Sequence, residues 1–103
     1  MKPGTIQLGN ASLHIGYPQI IPGNLRGFAR EISEFNVPDA FRGKGEGSEL
    51  LKEVCEEADA KGVLLILIAD TQRLQLFYER FGFEVIQNEP IVLMMRKPIE
   101  FKH

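Results

Sequence analysis

The sequence predicts one domain of the α/β (α+β) class: a mixed, mostly antiparallel sheet around a central parallel βαβ pair, in the order β-β-β-α-β-α-β-β. Three observations predict it. Two short polar/apolar alternations flank Gly9-Asn10, which reads as a β-hairpin. A helical stripe between Gly47 and Lys61 separates a β-prone stretch ending at Val37 from the continuously apolar Val63–Ala69, and a strand–helix–strand run of this kind makes the two strands parallel. A second helical stripe, Thr71–Phe81, is followed by two more β-prone stretches. At 103 residues the chain supports a single modest core, and its 44% hydrophobic and 25% charged residues are those of a soluble globular protein.

Taken in order, Thr5–Gly9 and Ser12–Gly16 form the hairpin. Tyr17–Arg26 carries Pro18, Pro22, Gly23 and Asn24, which break regular structure, so it is a long loop. Gly27–Val37 reads as a strand, with Glu31, Ser33, Phe35 and Val37 on one face and Arg30, Ile32, Glu34 and Asn36 on the other. In the first helix Leu50, Leu51, Val54, Cys55 and Ala58 make the apolar stripe, and Lys61-Gly62 is its stop. Cys55 in that stripe is a buried small hydrophobe, not a nucleophile. Val63–Ala69 is a strand covered on both faces. In the second helix Leu74, Phe77, Tyr78 and Phe81 recur at i, i+3, i+4 and i+7, and Gly82 ends it. Phe83–Ile86 and Ile91–Met95 form a C-terminal hairpin, and Pro98–His103 is expected to fray.

Chemistry concentrates between the third strand and the first helix, at Val37-Pro38-Asp39-Ala40-Phe41-Arg42-Gly43-Lys44-Gly45-Glu46-Gly47-Ser48. Alternate glycines let the backbone approach a ligand closely, and the first amides of the following helix lack intrahelical partners. Such a place suits phosphate, and Arg42 and Lys44 add positive charge. A Walker loop is excluded because Gly43-Lys44 precedes Gly45, and a dinucleotide fingerprint fails at Ser48, where a third glycine is required. What remains is Arg-x-x-Gly-x-Gly at Arg42, Gly45 and Gly47.

That loop resembles the coenzyme A pyrophosphate loop of the GNAT superfamily of N-acetyltransferases. Leu76-Phe77-Tyr78-Glu79-Arg80-Phe81-Gly82-Phe83 is similar to a second hallmark of the superfamily, after one buried strand as expected. The resemblance spans roughly Gly27 to Lys97 and implies the GNAT acyl-CoA N-acyltransferase fold, with acetyl-CoA as co-substrate. It implies that the strands on either side of the first helix splay apart to admit pantetheine, which bonds backbone near Phe35 and Val37. Arg42, Gly43, Lys44, Gly45, Glu46, Gly47 and Ser48 would then hold the pyrophosphate. Thr71 stands where an asparagine often contacts the cofactor; it either donates a hydroxyl or caps its helix. By the same resemblance Tyr78 protonates the departing thiolate, with a core tyrosine as the alternative. Glu31, or Glu34, or water beside one of them, deprotonates the amine.

Besides Thr71, the sequence departs from the family in two places. Glu46 lies between loop glycines where an apolar residue is usual, and a carboxylate beside phosphate lowers affinity unless it turns to solvent. The chain also starts at the hairpin, without the strand and helices that build much of the acceptor pocket in full-length members. This leaves a bare sheet edge and predicts a homodimer. The expected activity is transfer of an acetyl group to a primary amine, on a small molecule or a protein. The alternatives are a non-catalytic acyl-CoA-binding module and a protein-interaction module without cofactor. A net charge of −2 with no long basic run argues against nucleic acid and membrane partners. One cysteine and no signal-peptide pattern point to the cytoplasm. His14 and His103 are isolated, and no ligand cluster suggests a metal.

Overall fold

The structure, a computed structural model, describes residues 1–19 and 28–99. Most of the Tyr17–Arg26 loop and the last four positions of the chain lie outside the described residues. Among the described residues six strands and two α-helices follow one another: β1 (Gly4–Leu8), β2 (Ala11–Gly16), β3 (Ala29–Asn36), α1 (Glu46–Lys61), β4 (Leu64–Ala69), α2 (Gln72–Glu79), β5 (Glu84–Gln87) and β6 (Val92–Arg96). They form one sheet in the order β1-β2-β3-β4-β6-β5. Among the described residues only β3 and β4 pair in parallel, as the intervening helix requires; the other neighbours are antiparallel.

The helices form where the patterning puts them. α1 buries Leu50, Leu51, Val54, Cys55 and Ala58 against Leu13 and Ile15 of β2, Ile32 of β3 and Leu65 and Leu67 of β4. Each leucine removed from water there contributes about 1.5–3 kcal/mol. Gly62 ends α1 at φ 67°, with Gly62 N–H donating to Asp59 O and Val63 N–H to Ala58 O. Among the described residues no helix is long and apolar enough to cross a membrane.

The feature that creates a site is the failure of β3 and β4 to stay together. Their pairing covers Ala29↔Leu64, Arg30↔Leu65 and Glu31↔Ile66, and then stops, although β3 continues to Asn36 and β4 to Ala69. A β-bulge accounts for the divergence on the β3 side. His14 pairs with Ser33 but Ser12 with Asn36, so β3 holds one residue more than β2 over the same length. Glu34 takes the extra place at φ 53°.

The bulge corrects the predicted face assignment. Beyond Glu34 the alternation shifts by one, so Phe35 and Val37 turn onto the face of Ile32 and pack against the core. Glu31 therefore does not share a face with Val37. In the segment expected to fray, Ile99 N–H donates to Asp59 Oδ1 at 2.9 Å, and the positions from 100 onward lie outside the described residues.

Candidate functional site

Past the last β3–β4 pair a groove of about 720 Å³ opens. Phe35, Asn36 and Val37 form one wall, and Thr71, Leu74 and Phe77 of the α2 region face them. The loop from Phe41 to Ser48 closes one end. Phe35 stacks on Phe77 with centroids 5.9 Å apart and planes inclined by 16°, so two aromatic faces line the apolar part of the groove.

The glycines at the closed end serve different purposes. Gly43 and Gly45 have φ 81° and 84°, which side-chain-bearing residues rarely adopt, and a Cβ on either would meet open space. Gly47 has ordinary dihedrals but no room: its Cβ would lie 3.0 Å from Val37 Cγ2 and 3.2 Å from Phe35 Cζ. The first turn of α1 thus sits directly on the groove wall. Replacing Gly47 with leucine is expected to cost about 1–3 kcal/mol through overpacking, measured by urea unfolding.

α1 begins with Gly45 as N-cap and no side-chain capping bond; its first intrahelical bond runs from Glu49 N–H to Gly45 O at 3.0 Å. The amides of Glu46, Gly47 and Ser48 precede that bond and lie at the positive end of the helix dipole, on the groove. α2 differs, because the Thr71 hydroxyl accepts from Leu74 N–H at 3.1 Å and caps the helix while the residue also lines the groove.

The charged groups are arranged less simply. The Arg42 guanidinium is held at the rim: Nε donates to Val37 O at 3.0 Å and Nη1 pairs with Asp39 at 2.9 Å. Lys44 does not line the groove; its ammonium lies 5.9 Å from the centroid of the Phe41 ring. The cation contributed by the opposite wall is Arg73.

Tyr78 is 4% exposed and packs among Phe35, Phe77 and Phe83, behind the groove and not on its lining. Burial pushes its phenol up to about 12, with the Asp70 carboxylate adding to the effect, so the group stays protonated across the neutral range. Glu31 lies at the last β3–β4 pair, on the opposite sheet face from Phe35, and its Oε1 accepts from Gln19 N–H at 3.4 Å. Glu34 is exposed at the bulge. The Cys55 thiol is buried and pushed up to about 11, chiefly by desolvation, which removes it as a nucleophile at neutral pH.

Phe35, Val37, Arg42, Gly43, Gly45, Glu46, Gly47, Ser48 and Thr71 thus come together around one groove, whereas Lys44, Tyr78 and Glu31 stand off it. Asn36, Phe41, Arg73, Leu74 and Phe77 join the lining without having been singled out as ligand contacts. Leu74 and Phe77 carried a signal as part of the α2 stripe, while Arg73 needs the topology. Among the described residues no group of three or more His, Cys, Asp or Glu side chains could hold a metal ion.

A model of the acetyltransferase (GNAT) domain matches residues 9–85, most of the chain. The chain belongs to the GNAT family. This GNAT domain is 28% identical over 82 residues to the glucosamine 6-phosphate N-acetyltransferase of Trypanosoma brucei brucei, a match covering 80% of the chain and 54% of that relative. It therefore spans about half the length of the curated relative it matches. Among solved structures it shares the fold of the Escherichia coli GNAT N-acetyltransferase YhbS in complex with CoA, with TM-score 0.64, 15% identity and coverage of 84% and 51% of the two chains. The chain also shares the fold of the anti-CRISPR protein AcrVA5 at TM-score 0.66 and 20% identity, and the match covers 92% of this chain and 98% of that one.

Proposed function

We propose that this GNAT protein transfers the acetyl group of acetyl-CoA to a primary amine by direct attack. The observation that carries the reading is the parting of β3 from β4 at Glu31/Ile66, which opens a groove ending at uncapped amides of a glycine-rich helix start. Pantetheine lies along the backbone of Phe35 and Val37, beside the stacked Phe35 and Phe77 rings. The pyrophosphate meets the amides from Gly43 to Ser48 at the dipole's positive end, with Arg42, Lys44 and Arg73 supplying charge around it. Thr71 borders the pantetheine arm.

The amine nitrogen attacks the thioester carbonyl, the C–S bond breaks, and the leaving thiolate takes a proton from Tyr78. The proton lost by the amine passes to Glu31, directly or through water. A buried phenol with a raised pKa suits the donor role because it arrives protonated. Incubation with acetyl-CoA and a panel of amines is expected to release free thiol and add one acetyl group to the accepted amine. Glu31→Gln is expected to lower kcat about 10²-fold with a smaller change in KM. An unaltered kcat removes Glu31 from the chemistry.

One observation favours a second reading. Neither Tyr78 nor Glu31 lines the groove, which suits a module that binds acyl-CoA without turning it over. Binding with no acetylation of any amine in the panel would decide for that module.

We further propose a cytoplasmic homodimer. Its support is β1, an edge strand paired only with β2 among the described residues, and a buried, unpaired thiol. A sedimentation mass of one chain at micromolar concentration would refute the dimer.

A further inference from the structure

Glu46 is the residue least suited to its place, because an acidic residue there lines the end of the groove that the proposed function gives to a pyrophosphate. Its half-buried side chain turns to the β1–β2 hairpin. Oε2 accepts from Asn10 N–H at 3.3 Å, and Oε1 accepts from Asn10 Nδ2 at 3.4 Å. Both donors belong to the β1–β2 turn, which Gln7 Nε2 steadies by donating to Gly9 O at 3.0 Å. Gly9, at φ 58°, completes the seat: a Cβ there would fall on Glu46 Oε2 and lie 2.7 Å from its Cδ. The hairpin turn and the first turn of α1 are thus fitted to each other through one carboxylate.

We propose that Gly9 and Asn10 are positioning residues that hold the Glu46 carboxylate away from the phosphate end of the groove and so set the affinity for the anionic arm of acyl-CoA. The inference rests on the coenzyme A reading of the groove. Like charges at short range repel strongly in a partly desolvated site and weakly once screened by salt, so where Glu46 points decides whether the acid is tolerated.

The test is calorimetric titration of CoA into the intact protein, Gly9→Ala, and Gly9→Ala combined with Glu46→Gln, at low and high salt. Gly9→Ala expels the carboxylate from its seat and is expected to weaken CoA about tenfold at low salt, with the gap narrowing at high salt. The double variant keeps any backbone strain of alanine at a positive φ but removes the charge, and should bind within about threefold of the parent. Asn10→Ala, at an exposed turn position, gives an independent release, with a loss of about threefold that Glu46→Gln likewise reverses. Unchanged affinity in both single variants overturns the proposal, as does a loss that Glu46→Gln does not restore. A parent protein that binds no CoA fails the functional reading itself, and is told apart because no variant is needed to see it.

Discussion

Replacing Asp59 with alanine is expected to destabilise the protein by about 3–5 kcal/mol, the usual effect of leaving a buried charge without its partner. The charge left behind is Arg96, the one buried charged residue of the described core, at 6% exposure. Its Nη1 and Nη2 reach the two Asp59 oxygens at 2.8 and 2.9 Å, and its Nε donates to Phe81 O at 2.7 Å. One guanidinium therefore ties the last turns of α1 to β6 and to the end of the α2 segment. Asp59 also accepts from Ile99 N–H, so the chain beyond β6 is gathered into the same knot. Removing both charges with Asp59→Leu and Arg96→Met should be less damaging than removing Asp59 alone, because no orphaned ion remains.

The same pair makes stability depend on pH with a definite sign. The Arg96 hydrogen bond, helped by the bond from Ile99 and by the Arg96 charge, outweighs burial and holds the Asp59 carboxyl below its ordinary value. The unfolded chain binds that proton at higher pH than the folded one does. The contribution is therefore complete above the unfolded carboxyl's pKa of about 3.9 and is lost as pH falls through the lower folded value. Urea midpoints measured from pH 7 down to pH 3 should fall more steeply for the parent than for Asp59→Leu/Arg96→Met.

Tyr78→Phe is expected to lower kcat by about 10²–10⁴-fold while leaving the affinity for CoA close to the parent's, the signature of a group that acts on the leaving thiolate and not on binding. The change removes a single oxygen and leaves the ring among Phe35, Phe77 and Phe83, so the core stays filled. A proton donor held at about 12 also predicts a rate that does not fall through loss of this proton until pH is well above 10. Separate measurement of kcat and of CoA affinity decides the point. Equal turnover in parent and variant would leave Tyr78 a core residue and nothing more.

The fold was legible because its period changes are strong. The stripe from Leu50 to Ala58 and the unbroken apolar run into Ala69 together require a crossover and a parallel pair, and they appear as α1, β4 and the β3–β4 pairing. The glycine loop was legible for a related reason: Gly43 and Gly45 mark backbone that other residues cannot adopt, and their φ values agree. The bulge was not legible. Glu34 has no turn chemistry of its own, and only the register with Ser12 and His14 exposes the extra residue that turns Phe35 and Val37 to the core. The Asp59–Arg96 pair was equally hidden, because each residue looks like part of a solvated face until α1 and β6 are brought together. Arg73 and the Asn10–Glu46 contact share that origin, since both join segments far apart in the chain.

Calorimetric titration with acetyl-CoA, alongside desulfo-CoA, tests whether the gap between β3 and β4 is an acyl-CoA site. Saturable binding with a Kd on the order of micromolar is expected for both ligands, since pyrophosphate and pantetheine provide the contacts, with loss of binding in Gly47→Leu. No heat with either ligand, together with an unshifted melting temperature, would contradict it.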